Sequence, residues 1–407
     1  MFLILACTNA PDPVADDSAA IEVTTELTYY ADIKPLVDGH CTRCHNEGGL
    51  GPGDFSDPDE VIDKAALIQG WTEALEMPPP VSDPECRSYV GREHLSLDAD
   101  EQAMISEWVE GGAPLGDEGE SVEIEVEPHD LSDADLTVLM SDAYTPSWWD
   151  DGNPGNEYRC FVLDPGLDED VYLTAMDPVV DNDAIVHHIV LLNATRDSVT
   201  EEMSDPAGWD CIDGTSTDPT AMVAAWAPGM MPIEFPEGYG MKLPADEVLI
   251  AQMHYYDPGD GGGPDQSGYA FKTAESVSKE VLMVPMGIGD FEIPAGDASY
   301  ADGGSFVNSY FDFTIHGVFP HMHQLGIEYS MSVEGECLVE GRYSFDNQLT
   351  YMFDEPVAFP KDSAVEFECV WDNSEGPNNP EPQATGYGER TDEEMCFFFT
   401  LISFGAP

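Results

Sequence analysis

Two histidines stand one residue apart in the stretch GVFPHMHQLG, at His321 and His323. In an extended strand, side chains two positions apart point to the same face. The two imidazoles are therefore predicted to converge on one point, while Met322 faces the other way. Imidazole sites without neighbouring clusters of carboxylates suit copper or zinc. The pair predicts part of a transition-metal site.

Three further histidines lie in strand-like segments, with His187 and His188 in DAIVHHIVLLNAT and His254 in EVLIAQMHYYDP. One such residue alone is more often a hydrogen-bonded core histidine than a ligand. Several of them together favour ligation, because the whole chain holds only 10 histidines. Consecutive strand residues point to opposite faces, so His187 and His188 can share one metal only where the strand twists or ends. His316 is expected to be structural.

A different chemistry is indicated by Cys41-x-x-Cys44-His45 in HCTRCHNEGG. In an exported chain this pattern attaches a c-type haem through two thioether bonds and an axial imidazole. The segment YYADIKPLVDG predicts a helix leading into the motif. The segment LSLDADEQAMISEWVEGGAP predicts a capped amphipathic helix with Ile105, Trp108 and Val109 on its apolar side.

Residues 28–117 as a whole resemble a small class I-like bacterial cytochrome c domain. In that family the Met of an MPP segment is the second axial ligand, so the resemblance implies Met77 as a haem ligand beside Cys41, Cys44 and His45. The alternative for Met77 is core filling, which is a common role of methionine. His40 and His94 are expected at the surface.

The charge balance excludes two classes of partner. The chain has 81 acidic and 13 basic residues and a formal net charge of −68. Nucleic acids and anionic lipid surfaces both require basic patches, so neither is an expected partner. A solvated acidic surface is the simplest interpretation.

The N-terminal stretch MFLILACTNA resembles the end of a bacterial lipoprotein signal, with Cys7 as the lipidated residue. Residues 1–27 are then a truncated signal and a polar tether, and a lipid anchor would be the chain's sole contact with a membrane. No other apolar stretch reaches the about 18 residues that a membrane helix needs. The sequence predicts an exported protein of the periplasm or cell surface. An outer-membrane lipoprotein of a Gram-negative bacterium is one version of this prediction.

The helical periodicity of the sequence ends at an acidic linker at 118–136. Short alternating segments separated by Gly, Pro, Asp and Asn predict antiparallel sandwiches, which we divide into domains at 137–275 and 276–407. The nine cysteines fit an oxidising compartment. The disulfide candidates are Cys160, Cys211, Cys369 and Cys396. Cys86 and Cys337 have no predicted role, and whether they are free or bridge the two modules stays open.

The motifs HHIVLL, QMHYYDP, PHMHQLG and CVWDNSEGPNNPEPQATGYGERTDEEMCFFF occur in this order within residues 140–407. Together they resemble the copper type II, ascorbate-dependent monooxygenases. The fold implied for the whole chain is a small all-α cytochrome c-like domain followed by two all-β jelly-roll sandwich domains, each of which carries one copper.

The resemblance also implies residue roles. His187, His188 and His254 would hold an electron-transfer copper, and Gln252 would support that site. His321, His323 and Met395 would hold the catalytic copper, where oxygen is activated and where a soft thioether stabilises Cu(I). The implied disulfides are Cys160–Cys211 and Cys369–Cys396.

The chain departs from the family at three positions of the substrate pocket. The peptide-hydroxylating member has Arg, Asn and Tyr where this chain has Phe319, Phe397 and Phe399. A pocket without a guanidinium favours a small apolar or aromatic substrate over a carboxylate. The predicted reaction is hydroxylation of a C–H bond with dioxygen.

The fused haem is a second departure, because family members take electrons from ascorbate. The haem would supply the coppers after reduction by an external donor, either ascorbate or a redox protein. Alternatively, the haem domain merely docks the protein to a redox partner. A non-catalytic haem/copper electron-transfer or copper-handling protein is a competing function. A zinc hydrolase is disfavoured because no candidate Glu base accompanies the histidines and Met395 stays unexplained.

Overall fold

A computed structural model describes most of the chain after its N-terminal segment. The described residues are 27–47, 49, 51–124, 131, 133–147, 155–211, 221–228, 230–256, 262–345, 347–376, 379–388, 390 and 392–406. Cys7 and nearly all of the predicted signal and tether lie outside them. Within these ranges no helix is both long enough and apolar enough to cross a bilayer.

The helices are concentrated in the N-terminal part of the chain. A π-helical turn at Tyr29–Ile33 precedes four α-helices, which are α1 (Lys34–His40), α2 (Pro58–Glu73), α3 (Arg92–Leu95) and α4 (Ala99–Glu110). Short 3₁₀ turns are Glu118–Glu120, Arg196–Val199 and Glu202–Ser204. The π-helical turn, α1, α2 and α4 share a hydrophobic cluster of their own, separate from the main core.

Helix α4 confirms the capped helix predicted for this segment. The Asp98 side chain accepts from the backbone amides of Asp100 and Glu101, and the Glu101 carboxylate accepts from the Asp98 amide. This reciprocal arrangement satisfies amides that lack partners at a helix start. Ile105 and Trp108 are buried in the local core.

The expectation that His40 lies at the surface is wrong. His40 is the last residue of α1 and is buried. Its Nε2 lies 3.5 Å from a Glu101 carboxylate oxygen, because α1 and α4 belong to the same small core. His94 is half-buried on α3.

From residue 136 onward the chain is built of strands. They are β1 (Leu136–Leu139), β2 (Asn156–Leu163), β3 (Val171–Val179), β4 (Val186–Thr195), β5 (Trp209–Asp210), β6 (Ala221–Trp226), β7 (Ile233–Glu234), β8 (Tyr239–Leu243), β9 (Glu247–Tyr256), β10 (Gly268–Ala274), β11 (Lys279–Ile288), β12 (Glu292–Ile293), β13 (Tyr300–Val307), β14 (Phe313–His321), β15 (Gly326–Val333), β16 (Glu336–Arg342), β17 (Tyr351–Phe359), β18 (Ala364–Trp371), β19 (Thr385–Gly386) and β20 (Cys396–Phe404). The prediction of a mainly β architecture here is confirmed.

Among the described residues these strands form one large sheet and three smaller ones. The large sheet has the order β1-β10-β3-β8-β11-β20-β14-β17, with β7 beside β3. The others are β5-β2-β9-β4-β6, β13-β18-β15-β16 and β12-β19. Side chains from β4 and β9 share a buried cluster with those of β3 and β10, and β15 and β18 share it with β14 and β20. This layering is consistent with β-sandwich domains.

The large sheet continues across the predicted domain boundary at 275. Strand β11 begins at Lys279 and pairs in parallel with β8, at Lys279 with Tyr239 and at Glu280 with Gly240. The same strand pairs antiparallel with β20 from Val281 to Ile288. The two β regions therefore share a backbone hydrogen-bond network.

The segment that follows α2 runs along the second β region. Isolated bridges pair Ser82 with Gly341 and Tyr89 with Phe353. Ser82 and Tyr89 are buried, so the segment contributes to the main core.

The described residues contain three disulfides, which are Cys86–Cys337, Cys160–Cys211 and Cys369–Cys396. The last two are the pairs that the family resemblance implied. The first answers the open question about Cys86 and Cys337, since it joins the segment after α2 to β16. Three disulfides support an exported protein in an oxidising compartment.

Candidate metal centres

A three-histidine site, composed of His187, His188 and His254, lies on the neighbouring strands β4 and β9. Val186 pairs with Tyr255 and His188 pairs with His254, so one extra residue, His187, is inserted between these pairs. Such a bulge rotates the local backbone and redirects a side chain. It explains how two consecutive residues reach one site, as the sequence required.

The Nδ1 atoms of these three rings converge. Nδ1 of His188 lies 3.2 Å from Nδ1 of His187 and 3.3 Å from Nδ1 of His254. An ion about 2 Å from each nitrogen fits this spacing. In the described part of the chain, this is the single group of three His, Cys, Asp or Glu residues whose ligand atoms all lie within 4.8 Å of one another.

The surroundings keep the rings of His188 and His254 neutral and fix the orientation of His254. Burial, and secondarily the neighbouring imidazoles, holds the pKa values of His188 and His254 well below the usual range. A neutral ring is the form that binds metal. Nε2 of His254 donates to Oδ1 of Asn156 at 2.7 Å, which leaves Nδ1 as the metal-binding atom. The Gln252 amide instead donates to the Cys211 carbonyl.

A second pair of histidines, the His-x-His site of His321 and His323, lies at the end of β14. The two rings are 5.2 Å apart between centroids. Nδ1 of His321 donates to Oε1 of Gln348 at 2.8 Å, and Nδ1 of His323 lies 3.1 Å from the Glu393 carbonyl. Both rings therefore have Nε2 as the atom available to a metal. Burial lowers the pKa of His321 to about 4 and that of His323 to about 3.

Met395 lies next to the paired ends of β14 and β20. His321 of β14 pairs with Phe397 of β20, and Met395 directly precedes β20, which begins at Cys396. The backbone amide of His323 donates to the Glu394 carboxylate at 2.9 Å, which ties the two segments together there. The residue directly before Met395 is therefore hydrogen-bonded to the His-x-His site.

Glu394 is a buried carboxylate that the sequence interpretation did not single out. It accepts from the amides of His323 and Leu325 and from the Trp371 indole nitrogen at 2.7–2.9 Å. Burial raises its pKa to about 7 in spite of these donors. Its position directly before Met395 in DEEMC was the one available signal. Asn156 and Gln348, which orient ring nitrogens, carried no signal in the sequence.

Phe319, Phe397 and Phe399 line the sheet face beside the His-x-His site. Phe319 pairs with Phe399 across β14 and β20, and their centroids are 6.0 Å apart. The rings of Phe319 and Phe399 lie 5.8 and 6.1 Å from the His321 ring. The nearby guanidinium of Arg390 is bonded to Asp392. The face next to the histidines is therefore aromatic.

The Cys41–His45 segment lies in the helical region, directly after α1. Cys41 and Cys44 are not in disulfides. Nδ1 of His45 lies 3.2 Å from the Pro52 carbonyl, so Nε2 is the free ring nitrogen. The His45 ring stacks on Phe55 at 4.4 Å. Any β-carbon at Gly51 would lie 2.5 Å from this ring, so only glycine fits there.

Met77 does not fill a core, because its side chain is 39% exposed. It follows helix α2, whose Leu67 and Trp71 are also exposed. His316 lies apart from both histidine sites and is buried, with Nε2 2.9 Å from the Ser403 hydroxyl. Its structural role was expected.

Residues 153–261 match the family described as copper type II ascorbate-dependent monooxygenase, N-terminal domain. This range contains all three residues of the three-histidine site.

Curated relatives extend the similarity beyond that domain. The peptidyl-glycine alpha-amidating monooxygenase of Mus musculus is 26% identical over 295 residues, which is 68% of this chain. The Rattus norvegicus protein is 26% identical over 298 residues, also 68%. Peptidyl-glycine alpha-amidating monooxygenase A of Xenopus laevis is 23% identical over 269 residues, which is 61% of this chain. The chain spans only 26–27% of the length of these relatives. These matches make the chain similar to the copper type II ascorbate-dependent monooxygenases.

Proposed function

We propose that this chain is an exported dicopper monooxygenase, which hydroxylates a C–H bond of a small apolar or aromatic substrate with dioxygen. The observation that carries the proposal is the convergence of three imidazole Nδ1 atoms on strands β4 and β9. Its second support is the His-x-His site, which lies at the end of β14 where that strand pairs with β20, the strand directly after Met395. The two sites correspond to an electron-transfer copper and a catalytic copper.

Copper bound at these sites supplies one-electron redox chemistry and reaction with dioxygen. The chain fixes the ligands, since Asn156, Gln348 and the Glu393 carbonyl each hold the ring nitrogen that faces away from the metal. Burial keeps His321 and His323 deprotonated at neutral pH. The Met395 thioether suits Cu(I). One oxygen atom enters the substrate, and two electrons and two protons reduce the other to water.

The aromatic face supports the substrate class. Phe319, Phe397 and Phe399 present rings and no hydrogen-bonding group toward the His-x-His site. The guanidinium of Arg390 is engaged by Asp392. A carboxylate would lose water there without gaining a charged partner, so a neutral substrate is favoured.

We further propose that Cys41 and Cys44 carry a c-type haem with His45 and Met77 as axial ligands, in a cytochrome c-like helical domain. The fit rests on two free thiols, a free Nε2 on His45 and an exposed Met77. The exposed Leu67 and Trp71 offer apolar surface for a macrocycle. The haem supplies single electrons after reduction by ascorbate or a redox protein. Anchoring through Cys7 as a periplasmic or surface lipoprotein is part of the same proposal.

The test is ¹⁸O₂ incorporation by copper-loaded protein with ethylbenzene as the neutral probe and an N-acylglycine as the carboxylate probe. Labelled alcohol from ethylbenzene is expected, with loss of product in His254→Ala and His323→Ala. His316→Gln is the matched control, since it changes a buried histidine outside both sites. Copper binding without substrate-dependent oxygen use would instead favour the electron-transfer or copper-handling protein.

A further inference from the structure

The connection between β16 and β17 contacts all three proposed redox sites. We define the junction segment as residues 342–345, 347 and 348, the described part of this turn. Its first contacts are with the Met77 loop. Nη1 of Arg342 donates to the Leu75 carbonyl at 3.0 Å, and its Nη2 lies 2.7 Å from a Glu76 carboxylate oxygen. On the other side of Met77, the Asn347 amide donates to the Pro80 carbonyl at 3.0 Å.

The second set of contacts reaches the His-x-His site. The Tyr343 hydroxyl donates to the Met322 carbonyl and lies 3.1 Å from the Met322 amide. Met322 is the residue between the two histidines. Gln348 holds Nδ1 of His321. Backbone and imidazole of this site are therefore both bonded to the junction segment.

The third contact is with the three-histidine site. The ring centroid of Phe345 lies 5.8 Å from that of His187, 6.4 Å from that of His188 and 6.3 Å from that of His254. The Gln348 amide nitrogen donates to the Phe345 carbonyl at 2.9 Å. One side-chain amide thus links the residue that packs on one site to the imidazole of the other.

We infer that the junction segment is a positioning element that holds the Met77 loop and both histidine sites in one fixed arrangement. Phe345, Asn347 and Gln348 are its positioning residues, one for each site. This inference rests on the proposed haem and copper functions. It assigns a role to residues that bind no metal themselves, and it makes the transfer of an electron from haem to copper a step within the chain.

The redox step that this arrangement serves is simple. With haem and copper bound, one electron would leave the ferrous haem and reduce one cupric ion, so iron would lose the electron that copper gains. No bond in the junction segment forms or breaks. An external one-electron donor, ascorbate or a redox protein, restores the ferrous haem after each transfer.

The test uses full-length haem- and copper-loaded protein with the variants Phe345→Leu and Asn347→Ala. Haem absorbance gives the anaerobic rate at which ferrous haem is oxidised by bound copper, and paramagnetic resonance gives the cupric spectra. Both variants are expected to retain haem and copper but to slow this transfer by on the order of tenfold. Phe345→Leu should also shift the spectrum of the three-histidine copper, and Asn347→Ala the near-infrared Met–iron band.

Arg87→Ala is the matched control, because Arg87 contacts the Cys337 carbonyl and Glu336 on the same face but no junction residue. Phe345→Tyr keeps the aromatic ring and should have the wild-type spectrum and rate. This result would show that the effect of Phe345→Leu does not come from general misfolding. Unchanged rates and spectra in Phe345→Leu and Asn347→Ala would overturn the inference. Failure of the wild type to transfer electrons would overturn the haem supply itself, while the cupric spectra of Phe345→Leu would still decide the role of the junction.

Discussion

Oε1 of Gln348 lies 2.8 Å from Nδ1 of His321, and the amide nitrogen of the same side chain donates to the Phe345 carbonyl. The acceptor oxygen fixes which nitrogen of His321 carries the proton and therefore which one faces a metal. Gln348 is buried, so water cannot readily replace it. Gln348, which no sequence pattern indicated, thus orients the ring of His321, which the sequence predicted as a metal ligand.

Replacing Gln348 with Ala is expected to weaken copper binding at the His-x-His site by about 10–100-fold, the usual effect of losing such a partner. Copper content after dialysis against a graded chelator measures this. Gln348→Glu keeps an acceptor oxygen and should recover most of the affinity. The matched control is Gln252→Ala, whose amide bonds the Cys211 carbonyl. An equal loss in that control would show that any glutamine deletion has this effect.

Glu394→Gln replaces one carboxylate oxygen with an amide group that cannot accept. One amide of the His323–Leu325 segment or the Trp371 indole then loses its partner, which costs about 1–3 kcal/mol. We expect a lower free energy of unfolding in denaturant titrations and a weakened copper–sulfur signal in X-ray absorption, since Met395 follows directly. Trp371→Phe removes one donor and keeps the carboxylate, so its copper–sulfur signal should survive. Equal signals in Glu394→Gln and wild type would contradict this role.

Phe319→Arg introduces a guanidinium on the aromatic face beside His321. Turnover of ethylbenzene is expected to fall by about tenfold or more, because a charged group there must be desolvated when an apolar substrate binds. Turnover of the N-acylglycine probe should rise. Phe313→Arg, on the same strand but away from the histidines, serves as control. Improved ethylbenzene turnover in Phe319→Arg would contradict the apolar pocket.

The stability of metal-free protein should depend on pH through His316. Burial lowers the pKa of this residue to about 4, against a usual value of 6.5. Between these values the unfolded chain binds a proton that the folded chain does not, so stability falls as pH drops from 6.5 toward 4. His316→Gln should remove on the order of 3 kcal/mol of this dependence, because a tenfold change in proton affinity is about 1.4 kcal/mol. Identical slopes for both proteins in denaturant titrations across this range would refute the assignment.

The histidine pairs and the β architecture could be predicted from the sequence, because both depend on local periodicity. His321 and His323 share a face through the two-residue repeat of a strand. The consecutive residues His187 and His188 also indicated an irregular strand, because side chains of adjacent residues in a regular strand point to opposite faces. The bulge at His187 is that irregularity.

The hydrogen-bond partners that are distant in the sequence could not be predicted from local periodicity. Asn156 lies 98 positions from His254, and Gln348 lies 27 positions from His321. Their roles depend on strand order, which periodicity does not encode. The surface prediction for His40 was wrong for a related reason, since it ignored how α1 packs against α4.

The Cys86–Cys337 bridge spans 251 positions of the chain. A protease that cuts the acidic stretch at 118–124 would therefore not separate the helical region from the β regions. The two pieces would migrate together on a non-reducing gel and part only after thiol treatment. Cleavage there would also leave residues 82–92 inserted in the second β region, so the helical region would retain its position although its peptide connection was lost.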